Sequence, residues 1–146
     1  MYHLTTLLVT ILSFVSGLCV LAQTPTTLSY DTNYDNAGLS LNDVACSDGV
    51  NGLETKNPSY TTLGSLPTYP NVGGVYTVTG YNSTECGACY AVTYGTTTVN
   101  ILAVDKSTVG FTVSEEAMDT LTGGQAAALG RVDVTFVSLS PSDCGL

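Results

Sequence analysis

The sequence has no tryptophan, one histidine and only three basic residues among its 146 positions. The histidine, His3, lies in an N-terminal segment that we expect to be removed, so the mature chain would carry none. Without histidine, Ser-His-Asp and Cys-His catalysis are excluded, and so are most catalytic zinc sites. An enzyme built on this chain would depend on carboxylates, and we expect neither a metal nor an organic cofactor.

Positive charge is scarce throughout the chain. Twelve acidic residues stand against three bases, Lys56, Lys106 and Arg131, which gives a formal net charge of −9. A surface this acidic repels phosphate backbones and anionic lipids, so neither nucleic acid nor a membrane is expected as a partner. An uncharged polysaccharide carries no such penalty.

The first residues resemble a secretory leader. The stretch from Leu4 to Ala22 is mostly apolar or hydroxylic and has no charge, and Val20-Leu21-Ala22 has the small-residue form of a cleavage site. We therefore predict a signal peptide over residues 1–22 and one domain over residues 23–146. A retained membrane anchor is disfavoured because no charged flank stops transfer and a polar stretch follows.

Four cysteines remain after Cys19 leaves with the leader: Cys46, Cys86, Cys89 and Cys144. Cys86 and Cys89 form a Cys-x-x-Cys, but the strand-like stretch 90–94 follows it instead of the helix that a redox pair needs. A zinc site would need a second Cys/His pair at short spacing, which is missing. Two disulfides formed in an oxidising compartment are the favoured interpretation.

Short strands separated by turn residues dominate the rest of the chain. We predict strands at 74–79, 91–94, 97–105, 111–113 and 131–137, a short one near residues 29–30, and a polar lead-in at 23–28. Gly95-Thr96 predicts a hairpin, and Ser114 predicts the N-cap of a short helix that ends at Gly123-Gly124. The pattern indicates a small, mainly β, closed barrel with a few short helices.

Three groups of polar residues are candidates for a site, and each has a structural alternative. Tyr30-Asp31 and Tyr34-Asp35 suit a sugar-facing surface, or equally a strand with inward tyrosines and turn-capping acids. Asp48 and Asn51 lie in a glycine-rich loop that either faces a groove or simply forms a turn. Asp105 follows a buried strand as a site acid or as a turn cap. Asn82-Ser83-Thr84 is a glycosylation sequon, so Asn82 is a candidate glycan site.

Several segments together resemble the cerato-platanin family of small secreted fungal proteins. They are 29–36, 45–53, 81–83, 86–90, 103–105, 114–118, 121–126 and the final Cys144-Gly145-Leu146. Singly each segment is weak, but they follow one another in order across the whole predicted mature chain.

The resemblance implies a six-stranded double-psi β-barrel related to expansins, with disulfides Cys46–Cys86 and Cys89–Cys144. It implies an extracellular, cell-wall-associated protein that binds chitin oligomers, or cellulose, in a shallow groove. It also implies expansin-like loosening of polysaccharide without lysis, self-assembly, and plant-defence elicitation as an effector, through a plant surface receptor. The groove residues implied are Asp105, Ser47, Asp48, Asn51, Tyr30, Asp31 and Tyr34.

Two other hypotheses stay open at this point. A carboxylate-based glycoside hydrolase would use Asp105 with Asp48 or Asp31, and inverting chemistry needs the two carboxyls roughly 6.5–9.5 Å apart. A surface-active or elicitor protein would not need the groove at all. Because family resemblance favours binding without catalysis, we predict that the protein is not an enzyme.

Overall fold

The computed structural model describes residues 22–146. The predicted signal peptide, residues 1–22, lies outside the described residues except for Ala22, which is exposed. Within the described part of the chain, no helix has the length and apolar character needed to cross a membrane.

Six strands close into one barrel. They are β1 Thr24–Tyr30, β2 Val72–Val75, β3 Cys89–Tyr94, β4 Thr97–Lys106, β5 Phe111–Val113 and β6 Arg131–Leu139. Their order around the barrel is β1-β5-β2-β4-β3-β6, with β1·β5 and β2·β4 parallel and the other pairs antiparallel. The predicted closed, mainly β, double-psi barrel with short helices is confirmed.

Strand β4 supplies the centre of the core. Its four consecutive residues 101–104 are fully buried, as expected of a strand that is covered on both faces. Inside the barrel Tyr90, Phe111 and Phe136 meet edge to face, with ring centroids 5.2–5.6 Å apart. Asp105 directly follows the buried residues 101–104 and is the point at which β4 leaves the core.

The helices are short and lie outside the barrel. They are α1 Leu53–Lys56, α2 Glu115–Thr122 and α3 Ala126–Leu129, with single 3₁₀ turns at Thr32–Asp35, Leu41–Asp43, Leu63–Ser65 and Pro141–Cys144. Ser114 caps α2 as predicted, since its hydroxyl accepts from the Ala117 N–H at 3.0 Å. A second cap was not predicted: the Asp35 carboxylate accepts from the N–H groups of Glu115 and Glu116.

Two strand boundaries differ from the sequence prediction. Residues 24–28 of the polar lead-in belong to β1, because β6 pairs with residues 24–29 and so makes a strand of a stretch whose composition does not predict one. The strand predicted at 74–79 is instead Val72–Val75. Residues 76 and 77 form a turn instead, which the Val78 N–H closes by bonding Val75 O at 3.0 Å.

Both disulfides are present and join the pairs that the family resemblance implies. Cys46 bonds Cys86 across 40 residues, and Cys89 bonds Cys144 across 55 residues. Only Gly87 and Ala88 separate Cys86 from Cys89 along the chain. The two bridges therefore anchor both the loop that begins at Cys46 and the final turn Pro141–Cys144 near the start of β3.

Candidate functional site

A bulge in β4 aims the Asp105 side chain. Gly73 pairs with Ala103 but Gly74 pairs with Asp105, so Val104 is an extra residue on β4. Neither glycine of β2 has room for a side chain: a Cβ on Gly73 would lie 2.3 Å from Thr112 O of β5, and one on Gly74 would lie 2.8 Å from Lys106 O of β4. Gly74 therefore lets β2 approach β4 at the bulge, and Asp105 emerges half-buried at the strand end.

The Asp105 carboxylate accepts three hydrogen bonds. Its Oδ1 accepts from the backbone N–H of Ala45 at 2.9 Å and of Lys106 at 2.8 Å, while Oδ2 accepts from the Tyr34 hydroxyl at 3.0 Å. A carboxylate offers about four acceptor positions, so roughly one remains free. Asp105 thus joins Tyr34 and Ala45, which lie 71 and 60 residues away in the sequence, to the end of β4.

Tyr34 reaches Asp105 from the 3₁₀ turn at Thr32–Asp35. Asp31 caps this turn through a 2.9 Å bond from the Asn33 N–H to its carboxylate. The Tyr34 side chain is buried, and this burial raises the pKa of its hydroxyl well above the ordinary value, reinforced by the Asp105 carboxylate and more weakly by Asp31. Tyr30, at the end of β1, packs half-buried against the core.

The loop from Cys46 to Leu53 forms a second cluster. It begins where the Cys46 N–H bonds Val104 O at 3.1 Å and closes where the Leu53 N–H bonds Cys46 O at 3.0 Å. A Cβ on Gly52 would lie 2.1 Å from Asp48 O, so the loop can close only on glycine. Its tip, Val50, is 83% exposed.

Asn82 clasps this loop from the side. Its Oδ1 accepts from the Asn51 N–H and its backbone carbonyl accepts from Asn51 Nδ2, both at 2.9 Å. Asn82 has φ 58°, a left-handed conformation that asparagine tolerates better than most residues. The side-chain amide of Asn51 is therefore held in one orientation, with its Oδ1 directed away from this clasp.

The exposed groups of the second cluster are Asp48 and Tyr81. Tyr81 is 65% exposed, and the Asp48 carboxylate, as hydrogen-bond acceptor and as negative charge, raises the pKa of its hydroxyl. Ser47 is buried, and its hydroxyl lies 3.5 Å from Asp48 Oδ1. This cluster combines an aromatic face with free acceptors, which is what a neutral sugar needs from a protein surface.

The predicted site residues therefore fall into two clusters. Asp105, Tyr34 and Asp31 form the first, whereas Ser47, Asp48 and Asn51 form the second. The backbone of Ala45 and Cys46 links them along the end of β4, since their N–H groups bond Asp105 and Val104. Residues 22–146 include no group of three or more His, Cys, Asp or Glu that could hold a metal ion.

Sequence reasoning did not find two of the partners. The backbone N–H of Ala45 leaves no trace in the sequence, because every residue except proline has one. Asn82 drew attention only as a sequon, although an asparagine beside a glycine-rich turn is also a candidate for a left-handed residue that bonds a neighbouring loop.

The fold and the site define a small, disulfide-bonded double-psi barrel protein with a polar surface loop. A family model described as cerato-platanin matches residues 26–146, and the chain belongs to the cerato-platanin family.

Two relatives illustrate the sequence similarity. The chain is 56% identical over 120 residues to "Allergen Asp f 15 homolog" of Arthroderma benhamiae, covering 81% of this chain and 57% of that protein. It therefore spans little more than half the length of that relative. It is 41% identical over 119 residues to "Cerato-platanin" of Ceratocystis fimbriata f. sp. platani, covering 80% of this chain and 84% of the relative.

Solved structures of the family share the barrel. Cerato-platanin 2 of M. perniciosa matches with a TM-score of 0.81 and 42% identity over 84% of this chain and 100% of the other. The solution structure of the fungal elicitor cerato-platanin matches with a TM-score of 0.71 and 41% identity over 81% and 95%. An expansin of Clavibacter michiganensis, at 17% identity and a TM-score of 0.53 over 82% and 51%, shares the fold alone.

Proposed function

We propose that this chain is a secreted, extracellular, non-catalytic carbohydrate-binding protein of the fungal cell wall, with chitin oligomers of N-acetylglucosamine as ligands. The observation that carries the proposal is the exposed Tyr81 ring beside the Asp48 carboxylate and the fixed Asn51 amide. The ring would cover the C–H face of a sugar, while Asp48 and Asn51 Oδ1 accept from its hydroxyl or amide groups. Asp105 would add its remaining acceptor position.

Rigidity supports binding at this loop. The Cys46–Cys86 bridge, the Asn82 clasp and the close contact at Gly52 all hold the loop before a ligand arrives. A preformed site loses less conformational entropy on binding, which matters for a shallow surface with few contacts. The same disulfides suit an oxidising, extracellular location.

A titration of N-acetylglucosamine oligomers followed by amide shifts in NMR tests the proposal. We expect saturable shifts at residues 48–51 and 81–82, with smaller ones near Asp105. Tyr81→Ala should weaken binding, whereas Asp133→Asn, which changes an exposed acid on the outer face of β6, should not. Shifts that never saturate, or that avoid the loop, would contradict the proposal.

The contacts of Asp105 disfavour the hydrolase alternative. A general acid or base must exchange a proton with substrate, and donors of the fold already occupy three of the roughly four acceptor positions of Asp105, which leaves only one, on Oδ2, for that exchange. We therefore expect no reducing-sugar release from chitin or glucan. Release that disappears in Asp105→Asn would overturn the non-catalytic proposal.

The elicitor activity named for the cerato-platanin solution structure extends the proposal to defence elicitation through a plant surface receptor. Expansin-like loosening is proposed with it, because binding to strained polysaccharide chains can outcompete their contacts with one another. Self-assembly is proposed from the family resemblance. Leaf infiltration should compare the natural protein with Tyr81→Ala. Elicitation that survives loss of sugar binding would assign the two activities to different surfaces.

A further inference from the structure

Two adjoining cavities lie beside the disulfides, and no side chain of the two clusters lines either of them. The larger, about 470 Å³, is lined by Lys56, Asn57, Tyr60, Pro141, Gly145 and Leu146. The smaller, about 230 Å³, shares Lys56 and Pro141 with it and runs along the Cys86–Cys89 segment. The larger cavity falls within the usual range for small-molecule sites, about 300–1,000 Å³.

Lys56 lies where the two cavities meet and is the only cation that lines either of them. Its Nζ donates to the Cys86 carbonyl, which uses one of the three ammonium donors. A Cβ on Gly87 would lie 2.8 Å from Nζ and 2.9 Å from Leu146 Cδ1, so the missing side chain lets the amine settle beside an apolar group. Burial lowers the pKa of Lys56. The Glu85 carboxylate also lines the smaller cavity, but it accepts from the Tyr90 hydroxyl at 3.3 Å.

Asn57 supplies a second donor in the same wall. Its Oδ1 already accepts from the Ser59 N–H at 3.0 Å, which orients the side-chain amide. The Nδ2 group has no hydrogen-bond partner among the described residues and is available to a ligand. The remaining walls, Tyr60, Pro141 and Leu146, are largely apolar.

We propose that this cavity binds an amphipathic carboxylic acid, with its carboxylate on Lys56 Nζ and Asn57 Nδ2 and its apolar body between Tyr60, Pro141 and Leu146. Charge complementarity selects the anion, because an ammonium binds a negative ligand more strongly than a neutral one. The apolar walls select a molecule with a hydrocarbon body over a simple anion. The proposal is independent of sugar binding at Tyr81.

NMR titrations with octanoate and with 3-phenylpropanoate test the proposal, and their relative affinities distinguish an aliphatic from an aromatic ligand. We expect saturable amide shifts at residues 56–60 and 141–146. Acetate, which lacks the apolar body, and octanol, which lacks the charge, should each bind at least about tenfold more weakly, because each lacks one of the two contacts. Equal binding of octanol and octanoate would overturn the proposal.

Lys56→Met keeps the length of the side chain but removes its charge, and should weaken octanoate about tenfold. Lys106→Met is the matched control, because that lysine lies at the end of β4 outside this cavity and its loss should change nothing. If Lys56→Met unfolds, Asn57→Asp gives an independent answer, since it keeps the acceptor for Ser59 and adds a negative charge to the wall. Octanoate affinity unchanged in a folded Lys56→Met or in Asn57→Asp would contradict the proposal.

Discussion

Asp105 and Asp48 are both acids beside turn-forming residues, yet the fold uses them in opposite ways. Asp105 is half-buried and bonded to three donors of the protein itself, whereas Asp48 is exposed and has only the hydroxyls of Ser47 and Tyr81 near it. The first carboxylate holds the architecture together, and the second is available to a ligand. An acid at a strand end can therefore bind a ligand only through the acceptor positions that the fold leaves unused.

The largest difference should appear in stability. Asp105→Ala leaves the buried Tyr34 hydroxyl and the Ala45 N–H without their acceptor, so we expect the free energy of unfolding to fall by about 3 kcal/mol. Asp48→Ala should change it by no more than about 0.5 kcal/mol. Urea unfolding of both variants measures the difference, and equal losses would remove the distinction between the two acids.

The hydrogen bonds between Asn82 and Asn51 should contribute less to the free energy of unfolding than those of Asp105. Asn82→Ala removes the acceptor for Asn51 and places alanine in a left-handed conformation, which together should cost about 2 kcal/mol. Asn82→Gly removes only the acceptor and should cost about 1 kcal/mol less than alanine. Protein made in bacteria avoids any effect of a glycan on the sequon. Two variants of equal stability would mean that the backbone conformation contributes nothing.

Alkaline pH should reveal the contribution of the buried Tyr34 hydroxyl to the free energy of unfolding. The folded state raises the pKa of Tyr34 above its unfolded value near 10, so its stabilising contribution is complete below about pH 10 and is lost as pH rises further. Above pH 10, Tyr34→Phe should therefore lose stability more slowly than the natural protein, by up to about 1.4 kcal/mol per pH unit. Parallel curves in pH-dependent urea unfolding would contradict this assignment.

The smallest effect on stability is expected for Tyr81→Ala. Its ring is largely exposed, so the unfolding free energy should change by less than about 0.5 kcal/mol, even though binding of N-acetylglucosamine oligomers weakens. Calorimetric unfolding beside the NMR titration gives both values on one sample. A large loss of stability would show that Tyr81 belongs to the architecture, as Asp105 does.

Local signals in the sequence predicted the elements whose causes are themselves local. The hairpin at Gly95-Thr96, the Ser114 cap of α2 and the alternation in β6 each depend on neighbouring residues, and all three are present. The disulfide pairing came from family resemblance, because four cysteines alone allow three connectivities.

Features that depend on distant partners escaped prediction. The Asp35 cap of α2 joins residues 80 positions apart, and the Asp105–Tyr34 bond joins residues 71 apart. The extra residue at Val104 lies where Gly74 of β2 approaches β4 closely, which neither segment encodes alone. Tertiary pairing likewise makes a strand of the polar residues at the start of β1.

The pairing of β1 has a consequence for the order of events during synthesis. Its neighbours are β5 and β6, so the earliest strand to leave the ribosome has to wait for the latest two before it gains a partner. The barrel cannot close co-translationally until Leu139 has emerged, and until then a threonine-rich strand keeps an unpaired edge. Folding of this chain is therefore expected to be a late, concerted event rather than a stepwise one.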